Sequence, residues 1–501
     1  MTTANAPLWA VAPDDRRDAF VPDAHCDVLV VGAGATGLAA AASAAEHHAD
    51  VIVVDAHHPG ALTSGRSTGK ITFLQGVRLS TIRDRTSMEV AAAYLDATRI
   101  GAERIRALCA DGPGYEVAPA YSYATTEPGV DALAAERQVA NDLGLPVVDT
   151  STPELPFDVS AALRLDDQFM IDPGVLVGRL VSSARQHGAR IISGCTATAV
   201  HASDDGYDIE TGLGPIRAGA VIVATGTPFL NRGMHFARLE ASRSFVAAFR
   251  GETAPLRGMY LSVADDTKSL RPAHAHGADH LIVSGGHHLV GRSDSPAQRV
   301  AALHEWASAQ FPGLRLTHTW AAQDYESTDA APYVGPIHLG ENGILVATGF
   351  AKWGLAASVA AGIALAESVR DDAPSWVKQM QAGKGRGDAG RLVARNAEVV
   401  AQLVSGAAHA TMEGSPDEPA EGQGAVGFEH GRLTGVCRID GETHRVSAVC
   451  THLGGTLRWN DAEHSWDCPL HGSRFRFDGA RIEGPAREGL RTHSDVPHRG
   501  E

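Results

Sequence analysis

The sequence has few cysteines, no excess of positive charge and no long apolar run. Only six of its 501 residues are cysteine, too few for a disulfide framework, so a reducing compartment is expected. Lys and Arg number 43 against 59 Asp and Glu, a formal net charge of −16. Nucleic acids and anionic membranes are bound by basic faces, so neither is an expected partner. These absences predict a cytoplasmic protein.

No stretch of the chain is long and apolar enough to span a bilayer. The one sustained apolar run, Val28 to Ala45, follows Arg16 and Arg17 and loosely mimics an export signal. Acidic residues surround that run, and its glycines have a better explanation, so the sequence predicts neither an export signal nor a membrane span.

The chain begins with a pattern typical of an α/β fold. After a polar arm over residues 1–24, Asp27–Val31 and Val51–Asp55 are predicted as buried parallel strands joined by a helix at Leu38–His47. Two similar apolar runs far downstream, Ala220–Ala224 and Gly343–Ala347, are expected to join the same sheet. The length of 501 residues suggests two to four domains.

A dinucleotide fingerprint lies between the first strand and the helix. In Gly32-x-Gly34-x-x-Gly37, the first Gly permits a tight turn, the second lets the backbone meet a pyrophosphate and the third lets helix and strand pack. Thr36 lies within the motif, where the helix N-terminus favours a phosphate. Asp55 ends the second strand and would accept the ribose hydroxyls. The alternative is a glycine-rich turn in an α/β core.

Near the other end of the chain, two short segments each contain one Cys and one His. Cys450-Thr-His452 and Cys468-Pro-Leu-His471 are separated by fifteen residues. In a Rieske-type [2Fe–2S] cluster two cysteines hold one iron and two histidines hold the other, so this pattern predicts such a cluster. The alternative is a Cys2His2 zinc site, but zinc fingers pair Cys with Cys and His with His.

The segment from about Gly424 to Pro497 resembles Rieske domains. The respiratory type has two further cysteines in a disulfide, where this chain has Gly455 and Leu470. Ser473 keeps a hydroxyl that in such domains bonds a cluster sulfur, and Phe475 replaces a tyrosine whose hydroxyl does the same. The resemblance therefore implies an intermediate potential, inside the span of about −150 to +300 mV for Rieske centres.

Three other segments resemble FAD-contacting parts of the D-amino-acid oxidase and glycine oxidase superfamily, over about residues 27–370. They are Ser64–Lys70, Val221–Gly226 and Leu345–Phe350. The sequences of residues 323–329 and 332–336 are similar to those of superfamily members that have a C-terminal Rieske domain. This resemblance implies FAD as cofactor and adds five contacts to those of the fingerprint: Ser64, Lys70, Thr225, Gly226 and Gly349.

Together these signals predict an α/β Rossmann-like FAD-binding domain, an α+β substrate-binding domain and a small all-β Rieske domain. The expected FAD-binding domain is discontinuous, over 25–75, 151–234 and 326–372, with the substrate domain at 76–150 and 235–325. Residues 373–423 are expected to hold an amphipathic helix (391–405) and a solvated linker (413–424). The Rieske domain would fill 424–501, with strands at Arg432–Asp440, His444–Val449, Thr456–Trp459 and Ser473–Phe477.

The resemblance implies oxidation of a C–N bond of an amine or amino acid by hydride transfer to FAD. Electrons would then leave singly through the cluster to an external acceptor, such as a ferredoxin-like protein or a quinone. One alternative is a flavin oxidase that uses O2, with a structural or regulatory cluster. Another is a flavin/Rieske relay between partner proteins. A Rieske oxygenase is disfavoured because we find no two-His-one-carboxylate motif after the cluster ligands.

Four residues are candidates for contact with substrate or flavin. Arg271 could clamp a substrate carboxylate, and Tyr260 could line the pocket over the flavin. His287 could face the flavin, and Lys352, like Lys70, could stabilise the reduced anionic flavin. Each also has an ordinary alternative: a surface Arg, a core Tyr, a structural His or a solvated Lys.

Overall fold

The computed structural model describes residues 3–9, 18–150, 154–251, 256–382, 390–393, 395–397, 418–429 and 431–492. Most of the predicted helix at 391–405, part of the linker at 413–424 and part of the arm at 1–24 lie outside these ranges. Four β-sheets and the helices packed on them make up the described part. No helix within it is long and apolar enough to cross a lipid bilayer.

The first sheet has eight strands, five of them parallel. Their apolar runs are buried on both faces, as expected for a parallel sheet under helices. Packed helices are Ala35–Glu46, Met88–Cys109, Pro173–Gln186 and Gly354–Val369. The parallel strands are Ala24–Val31, Val51–Asp55, Arg190–Ser193, Ile216–Val223 and Ile344–Thr348, and the antiparallel strands are Ala197–Ser203, Gly206–Thr211 and Tyr333–Pro336.

The second sheet has ten strands, and three long antiparallel strands form its centre. The central strands are Leu239–Arg250, Ala278–Leu289 and Arg315–Ser327. The remaining strands are Thr3–Ala4, Lys70–Ile71, Glu116–Ala124, Val148–Thr150, Ala161–Met170, Met259–Ser262 and Ser269–Ala275. The helices Arg78–Arg85, Glu127–Asp142 and Pro296–Gln310 and the 3-10 segments Arg232–Arg238 and Ser375–Gln379 complete this part of the chain.

Several elements lie elsewhere than our division of the chain assigned them. Lys70–Ile71 was assigned to the FAD-binding domain but is a strand of the ten-stranded sheet. Ala161–Met170 was assigned to the FAD-binding domain but pairs antiparallel with Glu116–Ala124 in the ten-stranded sheet. Met88–Cys109 was assigned to the substrate domain but packs on Gly354–Val369, because its apolar face is buried beside the parallel sheet. The exact domain boundaries stay a prediction.

The last part of the chain forms two small antiparallel sheets, which confirms the predicted all-β class. Trp466 and Phe475 are fully buried between them. The strands are Gly424–Glu429, Arg432–Ile439 and Glu442–Ser447 in one sheet and Arg458–Asn460, Ser465–Asp467, Arg474–Arg476 and Arg481–Glu483 in the other. The first, fifth and last of these seven strands were not among our predicted strands.

Candidate functional site

The glycine fingerprint forms a turn that only glycine permits. Gly32 has φ +110°, and a Cβ there would lie 2.5 Å from the carbonyl oxygen of Ala224. A Cβ on Gly37 would lie 1.8 Å from the carbonyl oxygen of Gly32. The helix Ala35–Glu46 begins directly after Gly34, so its free N–H groups face the space beside the turn.

A long cleft runs past this helix N-terminus and along the carboxyl ends of the parallel strands. Most of the predicted FAD contacts line it: Gly32, Gly34, Thr36, Asp55, Ser64, Thr225 and Gly226. Gly349 is not part of the lining, although its neighbour Phe350 is, and Lys70 lies in an adjoining cavity. The backbone and small side chains around the helix N-terminus form a cradle that fits a dinucleotide.

Asp55 and Ser64 hold the fingerprint turn in place. The carboxylate of Asp55 accepts hydrogen bonds from Ala33 N at 2.6 Å and His57 N at 2.7 Å. Ser64 Oγ accepts one from Ala35 N at 2.9 Å. Two backbone donors thus fix the orientation of the Asp55 carboxylate. Its contact with a ribose stays a prediction.

A second cavity of about 370 Å³ adjoins the cleft, and Lys352 lines both. Lys352 Nζ lies 2.7 Å from Ser244 Oγ and 2.5 Å from His287 Nδ1. The backbone N–H of Lys352 donates to Asp324 Oδ2, which fixes the turn that carries the side chain. The structure thus brings together Lys352 and His287, two of the four residues predicted to contact substrate or flavin.

Burial shifts the titration of these groups. It lowers the pKa of Lys352 to about 8, although Asp324 and Glu326 oppose the change. Burial, with Lys352 nearby, lowers the pKa of His287 to about 4. At neutral pH His287 is therefore a neutral acceptor and Lys352 mostly an ammonium donor. Lys70 Nζ lies 2.6 Å from Ser269 Oγ, and burial lowers its pKa to about 7.

Tyr260 and Arg271 do not contact the cleft or the adjoining cavity. Tyr260 is fully buried and stacks on Tyr121 with the ring centroids 4.8 Å apart. Arg271 is 3% exposed and donates from Nη1 to the carbonyl oxygens of Gly69 and Ile171, both at 3.1 Å. Both expectations of a pocket role were wrong, because each side chain is committed to core packing.

The four predicted cluster ligands come together at the tips of two loops. The thiols of Cys450 and Cys468 interact directly, and a hydrogen bond with Cys468 lowers the pKa of Cys450 to about 7 although burial opposes it. The rings of His452 and His471 lie with their centroids 5.1 Å apart. Sulfur donors and nitrogen donors therefore form two separate pairs, the division that a Rieske cluster requires.

The donor atoms fit a cluster in two further respects. Nδ1 of both His452 and His471 is buried without a hydrogen-bond partner, which is costly unless a ligand bonds to it. Burial lowers the pKa of each histidine to about 4, so both are neutral and able to bind metal. In the ranges that the structure describes, no three His, Cys, Asp or Glu side chains converge on one metal position.

Packing between the two loops replaces the disulfide of respiratory Rieske domains. A Cβ on Gly455 would lie 2.5 Å from Leu470 Cδ1, so the leucine side chain fills that space. Ser473 is fully buried, its side chain hydrogen-bonds with Cys450, and its Oγ accepts from Ala486 N at 3.0 Å. Phe475, fully buried, brings no hydroxyl to the cluster.

Residues that we did not predict join the cleft to the cluster loops. Gln323 lines the cleft and donates from Nε2 to the carbonyl oxygen of Gly472 at 2.8 Å, next to His471. Glu483, Gly484 and Ala486 also line the cleft. The only signal for Gln323 was its place in the segment 323–329, and residues 481–487 carried no signal of chemistry.

Known proteins resemble this chain over both parts. The family model described as FAD dependent oxidoreductase (DAO) matches residues 27–368, and the Rieske [2Fe-2S] domain model matches residues 416–494. The putative Rieske 2Fe-2S iron-sulfur protein YhfW of Bacillus subtilis is 27% identical over 484 residues, 94% of each chain.

Solved structures share the fold of the larger part. Glycine oxidase from Geobacillus kaustophilus has a TM-score of 0.60 at 19% identity, covering 70% of this chain and 96% of that one. L-amino acid deaminase from Proteus vulgaris has a TM-score of 0.59 at 15% identity, covering 73% and 98%. The family matches confirm the predicted FAD and [2Fe–2S] cofactors. The chain belongs to the DAO family of FAD-dependent oxidoreductases and carries a C-terminal Rieske domain.

Proposed function

We propose that this oxidoreductase is a dehydrogenase that oxidises a C–N bond of an amine or amino acid and exports the electrons singly to an external acceptor. The cleft would hold FAD, which would supply a hydride acceptor, and Cys450, His452, Cys468 and His471 would hold a cluster able to pass electrons one at a time. The observation that carries the proposal is the shared wall: Gln323 and the segment 483–486 lie between the cleft and the cluster loops.

The cavity beside the cleft supports a small polar substrate. Its lining includes many hydroxyl side chains and the charged groups Lys70, Lys352 and Glu326. The ammonium of Lys352 lies where cleft and cavity meet, so it can bind an anionic substrate group or balance negative charge on the reduced cofactor. Neutral His287 accepts from Lys352 and holds it in position.

Loss of a hydride, that is two electrons and one proton, from a neutral substrate amine gives an iminium ion. Water then hydrolyses the iminium ion to a carbonyl compound and an ammonium ion. A hydride leaving a neutral amine needs no strong base, so the weakly basic His287 is no obstacle. A cytoplasmic location is part of the proposal and is supported by the six cysteines, none of which forms a disulfide. The acceptor is expected to be a ferredoxin-like protein, a quinone or a similar carrier.

The direct test is an anaerobic screen of oxidised protein against L-, D- and N-methyl amino acids and simple amines. We expect at least one compound to bleach the flavin absorbance, and the cluster signal to follow. If no compound does so, amine oxidation is wrong. Stoichiometric hydrogen peroxide in air with an oxidised, inert cluster would favour a flavin oxidase, whereas reduction by a protein donor alone would favour a relay.

A further inference from the structure

One wall of the FAD cleft comes from the Rieske domain. Arg481, Ile482, Glu483, Gly484, Ala486 and Arg487 all line the cleft. These residues lie within the Rieske match at 416–494 and more than 100 positions beyond the end of the FAD-oxidoreductase match at 368. We call residues 481–487 the Rieske strip. The larger part of the chain therefore does not enclose the cleft by itself.

Three hydrogen bonds fasten the Rieske strip to separate segments of the FAD-binding fold. His57 Nε2 lies 2.8 Å from the carbonyl oxygen of Ile482. Arg481 Nη2 donates to Thr196 Oγ1 at 3.2 Å, and Arg487 Nε donates to the carbonyl oxygen of Phe229 at 3.2 Å. Because the anchors are spread along the cleft, the strip is held as a wall rather than touching at one point.

Arg481 occupies the end of the cleft where the adenosine part of FAD is expected. Asp55, the predicted ribose acceptor, is close enough to act electrostatically on the Arg481 guanidinium. Among the described residues, that guanidinium donates one hydrogen bond, to Thr196. Arginine carries five N–H donors in a planar fork, so donors remain for phosphate or ribose oxygens of a bound dinucleotide.

We propose that Arg481 of the Rieske domain binds the adenosine-diphosphate half of FAD, and that the Rieske domain is thereby part of the FAD site. The strip is also tied to the cluster, since Ala486 N donates to Ser473 Oγ and Ser473 bonds with Cys450. Retention of FAD therefore requires a correctly folded Rieske domain, and loading of the two cofactors is coupled through one segment.

The test measures FAD and FMN affinity of the full chain after FAD is stripped and the cluster is retained. FMN lacks the AMP part of FAD, so it reports any general damage to the cleft. In Arg481→Ala we expect FAD affinity to fall about tenfold or more and FMN affinity to stay as in the wild type. Arg432→Ala, an exposed arginine of the same domain, serves as control and should bind both flavins normally.

Unchanged FAD affinity in Arg481→Ala, or equal losses for FAD and FMN, would overturn the proposal. Iron and sulfide content checks that the cluster survives in each variant. If Arg481→Ala does not fold, hydrogen exchange of the wild-type protein decides instead. Amides of the Rieske strip should exchange more slowly with FAD bound than without it, and equal rates in the two states would contradict the contact.

Discussion

A buried ion cluster fixes the Rieske domain against the ten-stranded sheet, and Glu463 is its centre. Arg243, from the long strand Leu239–Arg250, donates to the Glu463 carboxylate, and Arg474 lies 3.2 Å from it. All three side chains are at most 5% exposed. The change Glu463→Gln removes the negative charge and leaves the two arginines buried without it.

The expected cost follows from the titration of Glu463. Burial alone would raise its pKa, but Arg243 and Arg474 outweigh burial and lower the pKa from 4.5 to about 2. At about 1.4 kcal/mol for each pKa unit, the difference is on the order of 3 kcal/mol. Removing one partner of a buried ion pair typically costs a similar amount, about 3 to 5 kcal/mol. The stabilisation is complete above pH 4.5 and is lost as the pH falls toward 2.

The assay is denaturant unfolding at pH 7, followed by the visible circular dichroism of the cluster. Glu463→Gln should move the transition to clearly lower denaturant, and Glu442→Gln, at an exposed site of the same domain, should not. The difference between wild type and Glu463→Gln should shrink below pH 4. A loss under about 1 kcal/mol at pH 7, or the same loss in both variants, would refute the reasoning.

Three further predictions concern the cofactors and the cavity. Ser473→Ala removes the hydroxyl bonded to Cys450 and should lower the cluster potential, by about 60 mV for each tenfold loss in stabilisation of the reduced cluster. A redox titration monitored by electron paramagnetic resonance measures this potential, and an unchanged value would contradict the prediction. Lys352→Met should slow the reduction of FAD by substrate at least tenfold. In the wild type this rate should decline above about pH 8, the pKa to which burial lowers Lys352, and in Lys352→Met the decline should be absent. Lys378→Met, at an exposed lysine, is the control. Tyr260→Phe should leave the FAD reduction rate unchanged, because the Tyr260 hydroxyl lies in the core; a tenfold loss would restore its pocket role.

Local signals carried most of the predictions that were confirmed. The predicted strand Val51–Asp55 begins and ends at the same residues as the observed strand. A strand that is buried on both faces is a continuous apolar run, so its limits can be read directly from the sequence. The glycine turn and the paired Cys and His loops are likewise short motifs whose chemistry depends on near neighbours. These signals fix the cofactors without knowledge of the tertiary structure.

Which residues of a strand reach the cavity was not predictable from the same signals. In Met259–Ser262, Leu261 and Ser262 line the cavity while Tyr260 is buried in the core, so neighbouring positions of one short strand differ in their access to the cavity. Arg271 lies in the strand of Ser269, which does line the cavity, but it is covered by Gly69 and Ile171. Which of these residues reaches the cavity depends on the segments packed around the strand.

Contacts between the two cofactor-binding parts were the least accessible to sequence reasoning. Gln323 and Gly472 are separated by 149 positions, and Arg481 and Thr196 by 285. No periodicity or motif spacing connects such distant segments. The residues that join the cleft to the cluster loops were therefore found only from the packed structure.

The most direct test of the account is the rate at which electrons pass from reduced FAD to the cluster within one chain. FAD is reduced rapidly under anaerobic conditions, by an active amine or by photoreduction, and the cluster signal is followed over a range of protein concentrations. Because Gln323 and the Rieske strip place the two cofactor sites on opposite sides of one wall, the cluster should be reduced at a rate independent of protein concentration. A rate proportional to concentration, or a cluster that stays oxidised beside reduced FAD, would contradict the account.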